Sequence, residues 1–430
     1  MKKMLKRCKI LLNVGLVIFG VFLGFLILEG GLQLRRVVVY DLQPLLYVHS
    51  PRLGQRLNPA YPGHDASGWR NASTLNHANI VVFGDSQTYG VNLPIAAAWP
   101  QIMSNLLRRS VLQMAAPGYA PGHYIALYDE AMSHFPEVII ATYYFGNDLF
   151  GTYTIAYKRG DLKRSVEEPV LDSLVSTNPR IVEAIERAET IDPGFLRALY
   201  LDCQMPKWVT DPRLQLVHRV LDVQNLEPLT HDGPAEGLKS TLWRHSALAA
   251  VIRRGISWLA PRIGYRNTMV DYGSPICVDY HDSDITTVFS PGYRLIALDD
   301  TDPRIAEGER ISLLVLQYLH EHCRSDGRRF YVVTIPTKET AFRARVEKSL
   351  ETEPHLVELW QREARAQSNA FQFFEQHGID VIDSLPALEA LIARGINPYW
   401  DDANGHPGEA GHKAIAEAVA QRLDRDGIGH

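Results

Sequence analysis

Short apolar runs and longer amphipathic stretches alternate along much of this chain. Residues 79–84, Asn-Ile-Val-Val-Phe-Gly, are almost wholly apolar, as expected for a parallel strand buried on both faces. Four later runs of similar character predict further strands at 111–115, 137–144, 330–335 and 379–383. Apolar residues at helical spacing predict helices at about 98–108, 124–135, 302–324, 354–376 and 410–423.

The order of these elements predicts the architecture. Strands that alternate with helices form parallel sheets, so we predict an α/β fold with a doubly wound, parallel five-stranded sheet. The alternation stops at about residue 151 and resumes near 302, and the proline-containing stretch between them is less regular. We therefore predict the first part of the α/β domain at 36–150, an insertion at 151–301 that covers or shapes a site, and the second part at 302–430.

The N-terminus carries a basic cluster followed by a long apolar run. Five basic residues lie within the first nine, and residues 10–28 contain no formal charge. A helix of that length spans about 28 Å, close to the roughly 30 Å of a bilayer core. We predict that residues 1–35 form a cytoplasmic basic end and one transmembrane helix in a bacterial inner membrane, with the remainder outside the cytoplasm. A cleaved signal peptide is the alternative, although no A-x-A site follows the run.

Charge and cysteine content argue against other classes of protein. The 44 basic and 49 acidic residues give a formal net charge of −5, and no long basic block follows the N-terminus, which argues against a nucleic-acid partner. The four cysteines show no C-x-x-C spacing, so we expect no zinc or iron–sulfur site and no cofactor. Outside the cytoplasm Cys203 and Cys277 could pair, and two unpaired buried thiols are the alternative.

Polar groups follow the first three predicted strands. Ser86 comes directly after the first strand, Gly118 after the second and Asn147 after the third. We expect these groups to lie together, because the carboxyl ends of parallel strands meet at the edge where open α/β sheets bind ligands. A hydroxyl beside N–H donors, here the main chain of Ser86 and Gly118 and the side chain of Asn147, suits acyl transfer through serine. The loop 399–407, just before the last helix, supplies His406 as a candidate base.

Four blocks in this order resemble those of the SGNH hydrolase, or GDSL esterase, superfamily: Gly84-Asp85-Ser86, Gly118, Gly146-Asn147-Asp148, and the acidic loop with His406. The resemblance covers about residues 76–150 and 302–425 and implies a flavodoxin-like sheet with strand order 2-1-3-4-5. It also implies that Ser86 is the nucleophile, that His406 is the base, and that Ser86, Gly118 and Asn147 form the oxyanion hole. The membrane anchor, the stretch Ile335-Pro336-Thr337-Lys338 and the long insertion give a looser similarity to alginate O-acetyltransferase-like proteins.

The acidic loop departs from the family pattern at one position. The family usually has aspartate three residues before the histidine, whereas that position is Ala403 here. We expect Asp402 to orient His406, because a longer loop could return its carboxylate to the imidazole. The alternatives are Asp401, Asn404, or a dyad oriented by a backbone carbonyl.

Two further residues invite a functional interpretation. His412 lies six residues after His406 in the last predicted helix, where we expect it to sit too deep to act as the base. Lys338 follows the fourth predicted strand and is either a substrate contact or a surface lysine.

These features together predict an extracytoplasmic serine esterase or O-acyltransferase with a Ser-His-Asp site. The favoured substrate is an O-acetyl ester on a cell-surface carbohydrate. A lipid ester is the main alternative, and a non-catalytic glycan-binding or assembly protein on the same fold is another. The acyl acceptor, the oligomeric state and the role of residues 151–301 do not follow from the sequence.

Overall fold

The computed structural model of the protein describes residues 46–157, 168–191 and 277–429, together with the isolated positions 20 and 24. The described residues from 46 onward belong to one unit of the chain. Within the described residues, no helix is long and apolar enough to cross a membrane. Apart from Gly20 and Gly24, the apolar run 10–28 lies outside them, as does Cys203, so the predicted anchor and the Cys203–Cys277 pairing both stay predictions.

Nine strands occur in the described ranges, five of them in the central sheet. They are β1 Tyr47–Ser50, β2 Gly54–Leu57, β3 Ile80–Gly84, β4 Val111–Ala115, β5 Val138–Tyr144, β6 Val278–His281, β7 Thr286–Phe289, β8 Arg329–Ile335 and β9 Asp380–Asp383. The central sheet is parallel with spatial order β4-β3-β5-β8-β9, and β1–β2 and β6–β7 form two antiparallel hairpins. In terms of the five central strands this order is 2-1-3-4-5, so the predicted α/β fold with a parallel five-stranded sheet is confirmed.

Helices occupy most of the connections between these strands. In the described residues they are α1 Ser86–Tyr89, α2 Trp99–Leu107, α3 Pro121–Met132, α4 Asp148–Ala156, α5 Pro169–Leu174, α6 Pro179–Ile191, α7 Pro291–Ala297, α8 Pro303–Ser325, α9 Lys338–Ala341, α10 Arg343–Val346, α11 Pro354–His377, α12 Leu385–Ala393 and α13 Glu409–Arg425. The five predicted helices all form, and four of them agree with the prediction within two residues at each end. Helix α3 begins three residues earlier than predicted because Pro121 occupies its first turn, where proline costs no hydrogen bond.

The sequence pattern did not reveal helix α4. Its side chains are buried nearly all round, so it has no polar face whose spacing could disclose a helical period. The two hairpins also escaped prediction, because their strands lie outside the alternation of strands and helices that revealed the central sheet. Helices α5–α7 and the β6–β7 hairpin fall inside the predicted insertion 151–301, whose boundaries stay predictions.

The central sheet buries a separate core on each face. Side chains alternate along β3, so that Val81 and Phe83 enter one core and Ile80 and Val82 enter the other. Helices α3, α4 and α8 complete the first core, and α2, α12 and α13 complete the second. Burial on both faces explains why β3, β4, β5 and β8 are mainly apolar rather than alternating. It also leaves the carboxyl edge of the sheet as the place where polar side chains gather.

Candidate active site

Ser86 lies at a tight turn between β3 and the short helix α1. A side chain at Gly84 would overlap Thr88 and Thr142, so only glycine fits where the strand ends. Asp85 caps α1, because its Oδ1 atom accepts a hydrogen bond from Gln87 N at 2.9 Å. The serine itself is 8% exposed. The turn therefore holds its hydroxyl at the carboxyl edge of the sheet with little freedom.

His406 approaches Ser86 from the loop before α13. An isolated antiparallel bridge between Tyr399 and Pro407 closes this loop at its base. The Nε2 atom of His406 lies 2.9 Å from Ser86 Oγ, which is hydrogen-bonding distance. The structure thus brings together the hydroxyl and the candidate base, which lie 320 positions apart in the chain.

The protonation of the imidazole follows from the contacts of its other side. Asn404 Oδ1 lies 2.7 Å from His406 Nδ1 and 3.0 Å from His406 N. A backbone N–H can only donate, so the shared atom of Asn404 must be the amide oxygen rather than the nitrogen. Nδ1 is then the protonated nitrogen, and Nε2 is left to accept the proton of Ser86. This is the tautomer that a general base requires.

The predicted role of Asp402 is corrected by this arrangement. The Oδ1 atom of Asp402 accepts a hydrogen bond from Asn404 N at 2.8 Å, which forms a local turn within the loop. Asp401 Oδ1 accepts from the side chain of Asn397 at 2.9 Å. Asn404, rather than either carboxylate, lies against His406 Nδ1. The imidazole is consequently oriented by a neutral amide, and Asp402 supports that amide from behind.

Gly118 and Asn147 occupy the loops after the two strands that flank β3. Gly118 has a φ of +78° in a turn closed by a 3.0 Å hydrogen bond from Tyr119 N to Ala116 O, a conformation that favours glycine. Asn147 precedes α4, but its side chain makes no capping bond, and its buried Oδ1 has no hydrogen-bond partner among the described residues. An orphaned amide oxygen is a cost that a purely structural cap would avoid. Their roles as oxyanion donors stay predictions.

Two buried carboxyl groups, those of Asp85 and Asp148, lie near Ser86. Burial raises the pKa of Asp85 to about 7. Burial and, secondly, the charge of Asp85 raise the pKa of Asp148 well above its usual range. Asp148 Oδ2 accepts from Tyr144 N at 2.8 Å, and Asp85 Oδ2 lies 3.4 Å from Ser86 Oγ. Since this last distance is longer than the 2.9 Å to His406 Nε2, the hydroxyl is better placed to donate to the histidine.

A buried arginine from the predicted insertion contributes to the site. Arg294, on α7, forms an ion pair with Glu339 at 3.2 Å. A side chain at Gly405 would overlap its guanidinium group, so the loop passes directly over it. Burial, followed by the charge of Arg294, lowers the pKa of His406 to about 4. Sequence reasoning missed Arg294 because no motif surrounds it and it lies more than a hundred residues from the loop.

His412 has a structural role in this arrangement. Its Nδ1 atom accepts a hydrogen bond from Trp99 N at 3.1 Å, which satisfies a main-chain donor at the start of α2. The side chain is buried, and this burial lowers its pKa to about 3. The Nδ1 atom of His412 is therefore engaged by the main chain of α2. His406, rather than His412, is the histidine that contacts Ser86. Among the described residues, no group of three or more His, Cys, Asp or Glu side chains could hold a metal ion.

No family model matches the chain, and no curated protein matches it. The solved structures to which the chain is similar include GDSL-family lipolytic proteins and ester hydrolases.

Three of these structures illustrate the likeness. A lipolytic protein of the G-D-S-L family from Desulfitobacterium hafniense has 10% identity, covers 80% of this chain and 97% of its own, and gives a TM-score of 0.31. An acetylxylan esterase from Geobacillus stearothermophilus, solved as a catalytic mutant, has 11% identity, coverages of 81% and 95%, and a TM-score of 0.33. A GDSL-like lipase from Bacteroides thetaiotaomicron has 9% identity, coverages of 81% and 88%, and a TM-score of 0.30.

The contacts of Asn404 predict which loop substitution is costly. Asn404→Ala removes the acceptor that fixes the tautomer of His406 and should lower kcat for an ester by roughly two to three powers of ten. Asp402→Asn keeps an acceptor oxygen for Asn404 N and should cost about tenfold or less. Asn404→Asp keeps both hydrogen bonds and should retain most of the activity. Steady-state kinetics on folded variants test this, and a larger loss for Asp402→Asn than for Asn404→Ala would contradict the assignment.

The depressed pKa of His406 predicts an acid-tolerant base. Its neutral form is required, so the rate should persist below the ordinary histidine pKa of about 6.5 and fall only as pH drops through about 4. The check is the pH profile of kcat/KM, with circular dichroism to confirm that the protein stays folded. The titration of Asp85 is the control, since an inflection near pH 7 that disappears in Asp85→Asn belongs to that carboxyl group. An inflection near 6.5 that persists in Asp85→Asn would refute the environment described for His406.

Proposed function

We propose that this protein is a serine esterase or O-acyltransferase that acts on ester bonds. The observation that carries the proposal is the hydrogen-bonded series from Ser86 Oγ to His406 Nε2 at 2.9 Å and from His406 Nδ1 to Asn404 Oδ1 at 2.7 Å. A buried hydroxyl, a neutral imidazole and a fixed tautomer are the parts that nucleophilic acyl transfer needs.

The proposed reaction runs in two halves. His406 Nε2 takes the proton of Ser86 as Oγ attacks the ester carbonyl, and the main-chain N–H groups of Ser86 and Gly118 with the Asn147 side chain stabilise the oxyanion. His406 then gives that proton to the departing alcohol, which leaves an acyl-enzyme. In the second half His406 deprotonates water or a sugar hydroxyl, and the acyl group passes to that oxygen as Ser86 regains its proton. Hydrolysis and transfer differ only in this acceptor.

The orienting group of this site differs from the usual carboxylate. Asn404 holds the imidazole in position but carries no charge to stabilise the imidazolium, and Arg294 nearby opposes it. Transition-state stabilisation must therefore depend more on geometry and on the oxyanion donors than on charge at His406.

An O-acetyl ester on a carbohydrate is the substrate that we propose. Trp400 lies one residue inside the Tyr399–Pro407 bridge, and His406 is the corresponding residue on the other side. Trp400 is 36% exposed, and the neighbouring Asp401 and Asp402 are also exposed. An exposed aromatic ring beside hydrogen-bond acceptors suits a neutral sugar ring, whose C–H groups stack on the indole while its hydroxyls donate to the carboxylates. Exposed carboxylates would repel an anionic lipid headgroup.

We further propose that the protein is a single-pass protein of a bacterial inner membrane, with the catalytic domain outside the cytoplasm. The support is the basic cluster before the apolar run 10–28. A cleaved signal peptide would also deliver the domain outside the cytoplasm. A lipid esterase and a non-catalytic glycan-binding protein are the alternatives to the proposed activity.

The nucleophile is tested directly by covalent labelling. A fluorophosphonate probe applied to the full-length protein should form one adduct, which peptide mass spectrometry should map to Ser86. Ser86→Ala should abolish labelling and lower ester turnover by several powers of ten. An adduct on another residue, or wild-type turnover by folded Ser86→Ala, would refute the assignment. A folded wild-type protein without labelling or turnover would favour the non-catalytic alternative.

The sugar platform predicts a substrate-dependent effect of Trp400→Ala. The substitution should lower kcat/KM about tenfold for an acetylated neutral oligosaccharide and leave kcat/KM for p-nitrophenyl acetate nearly unchanged. Phe135→Ala is the control, because Phe135 is 62% exposed but follows α3, at the opposite edge of the sheet. Equal losses on both substrates would contradict a sugar-binding role for Trp400, and a selective loss on a long-chain lipid ester would favour the lipid alternative.

A further inference from the structure

Lys338 is a buried cation beside the catalytic loop. It is the first residue of α9, directly after the carboxyl end of β8, and its side chain is 1% exposed. The interpretation of Lys338 as a surface lysine is therefore wrong, whereas a substrate contact stays a prediction. Burying an ammonium group costs several kcal/mol unless hydrogen bonds compensate, so its presence needs a physical reason.

The compensation comes from the main chain of the loop that carries His406. Lys338 Nζ donates to Trp400 O at 2.8 Å and to Asp402 O at 2.7 Å. None of the ion pairs found among the described residues includes this lysine, so its polar partners there are these two carbonyl groups rather than a paired carboxylate. Burial lowers the pKa of Lys338 to about 8. Even a neutral amine retains two N–H donors, so both bonds can persist above this pKa.

A series of hydrogen bonds connects Lys338 with Ser86. Lys338 fixes the main chain at Asp402, whose side chain accepts from Asn404 N at 2.8 Å. Asn404 in turn accepts from His406, and His406 contacts Ser86. Between the Tyr399–Pro407 bridge residues the loop has no regular secondary structure, so side-chain bonds of this kind must determine its shape.

Glu339 and Ser290 also help to hold the loop that carries His406. Glu339, next to Lys338, pairs with Arg294 at 3.2 Å and accepts from Ser290 N at 2.9 Å. Ser290 Oγ donates to Ala403 O at 3.3 Å. The loop is therefore held through its carbonyl groups at three positions, two of them by Lys338.

We propose that Lys338 is a positioning residue for catalysis, which holds the loop 400–406 so that Asn404 and His406 stay aligned with Ser86. This proposal rests on the esterase or acyltransferase function proposed above. In this role Lys338 acts without contacting the substrate. It acts through its hydrogen bond to the main chain of Asp402. By holding the loop in place it keeps the imidazole of His406 oriented, as a charged partner of the histidine would otherwise do.

The test compares Lys338→Met, which keeps the apolar stem but removes the donors, with Lys413→Met at a lysine whose side chain is 68% exposed. Lys338→Met should lower kcat for p-nitrophenyl acetate about 10- to 100-fold and leave KM within about twofold. Lys413→Met should match the wild type. Wild-type kcat in folded Lys338→Met, or a loss confined to KM, would overturn the proposal.

A double-mutant cycle separates positioning from a general loss of stability. If Lys338 acts through Asn404, the double variant Lys338→Met/Asn404→Ala should be no more than about threefold slower than Asn404→Ala alone. Multiplicative losses would overturn the proposal, because they would show that Lys338 acts independently of that residue. Should Lys338→Met fail to fold, Lys338→Gln, which keeps one N–H donor group, takes its place in the same cycle.

Hydrogen–deuterium exchange supplies a readout that does not depend on activity. The peptide spanning 399–407 should exchange at least about tenfold faster in the Lys338 variant than in the wild type, while peptides from α13 stay unchanged. Unchanged exchange in 399–407 would overturn the proposal. If the wild type had no ester turnover, the proposed function would fail, but this exchange experiment would still decide whether Lys338 holds the loop.

Discussion

The amide oxygen of Asn404 determines the chemistry of the candidate site. It accepts from both the main-chain N–H and the Nδ1 atom of His406, and these two bonds leave Nε2 free for Ser86. The rest of the loop supports this single acceptor. The side chain of Asp402 holds Asn404 N, and Lys338 holds the Asp402 carbonyl group. A neutral group with fixed geometry thus takes the position where a carboxylate was expected.

Most of the central fold could be predicted from the chain alone. A parallel strand covered on both faces must be apolar throughout, and this made β3, β4, β5 and β8 visible in the sequence. Helix α4 lacked the required signal, because burial on every side removes the polar face that reveals a helical period. The hairpins β1–β2 and β6–β7 lie outside the alternation of strands and helices, so the pattern that revealed the central sheet did not extend to them.

The site was predictable where it depends on the ends of strands or on the motif that contains His406. Ser86, Gly118 and Asn147 follow three adjacent strands, so topology alone puts them at one edge. The orienting residue of His406 depends instead on how an irregular loop folds, and spacing could not decide between Asp402 and Asn404. Arg294 escaped detection, and the contacts of Lys338 were not foreseen, for a related reason: a long-range contact to a loop backbone leaves no sequence motif.

The central claim is that Asn404 fixes the tautomer of His406, and nitrogen NMR of the imidazole tests it most directly. Protein labelled with ¹⁵N-histidine would be recorded at neutral pH, and the signal of His406 identified by its absence in His406→Gln. The account predicts a proton on Nδ1 and an unprotonated Nε2 in the wild type, and loss of that single tautomer in Asn404→Ala. A proton on Nε2 in the wild type, or an unchanged tautomer in Asn404→Ala, would contradict the account.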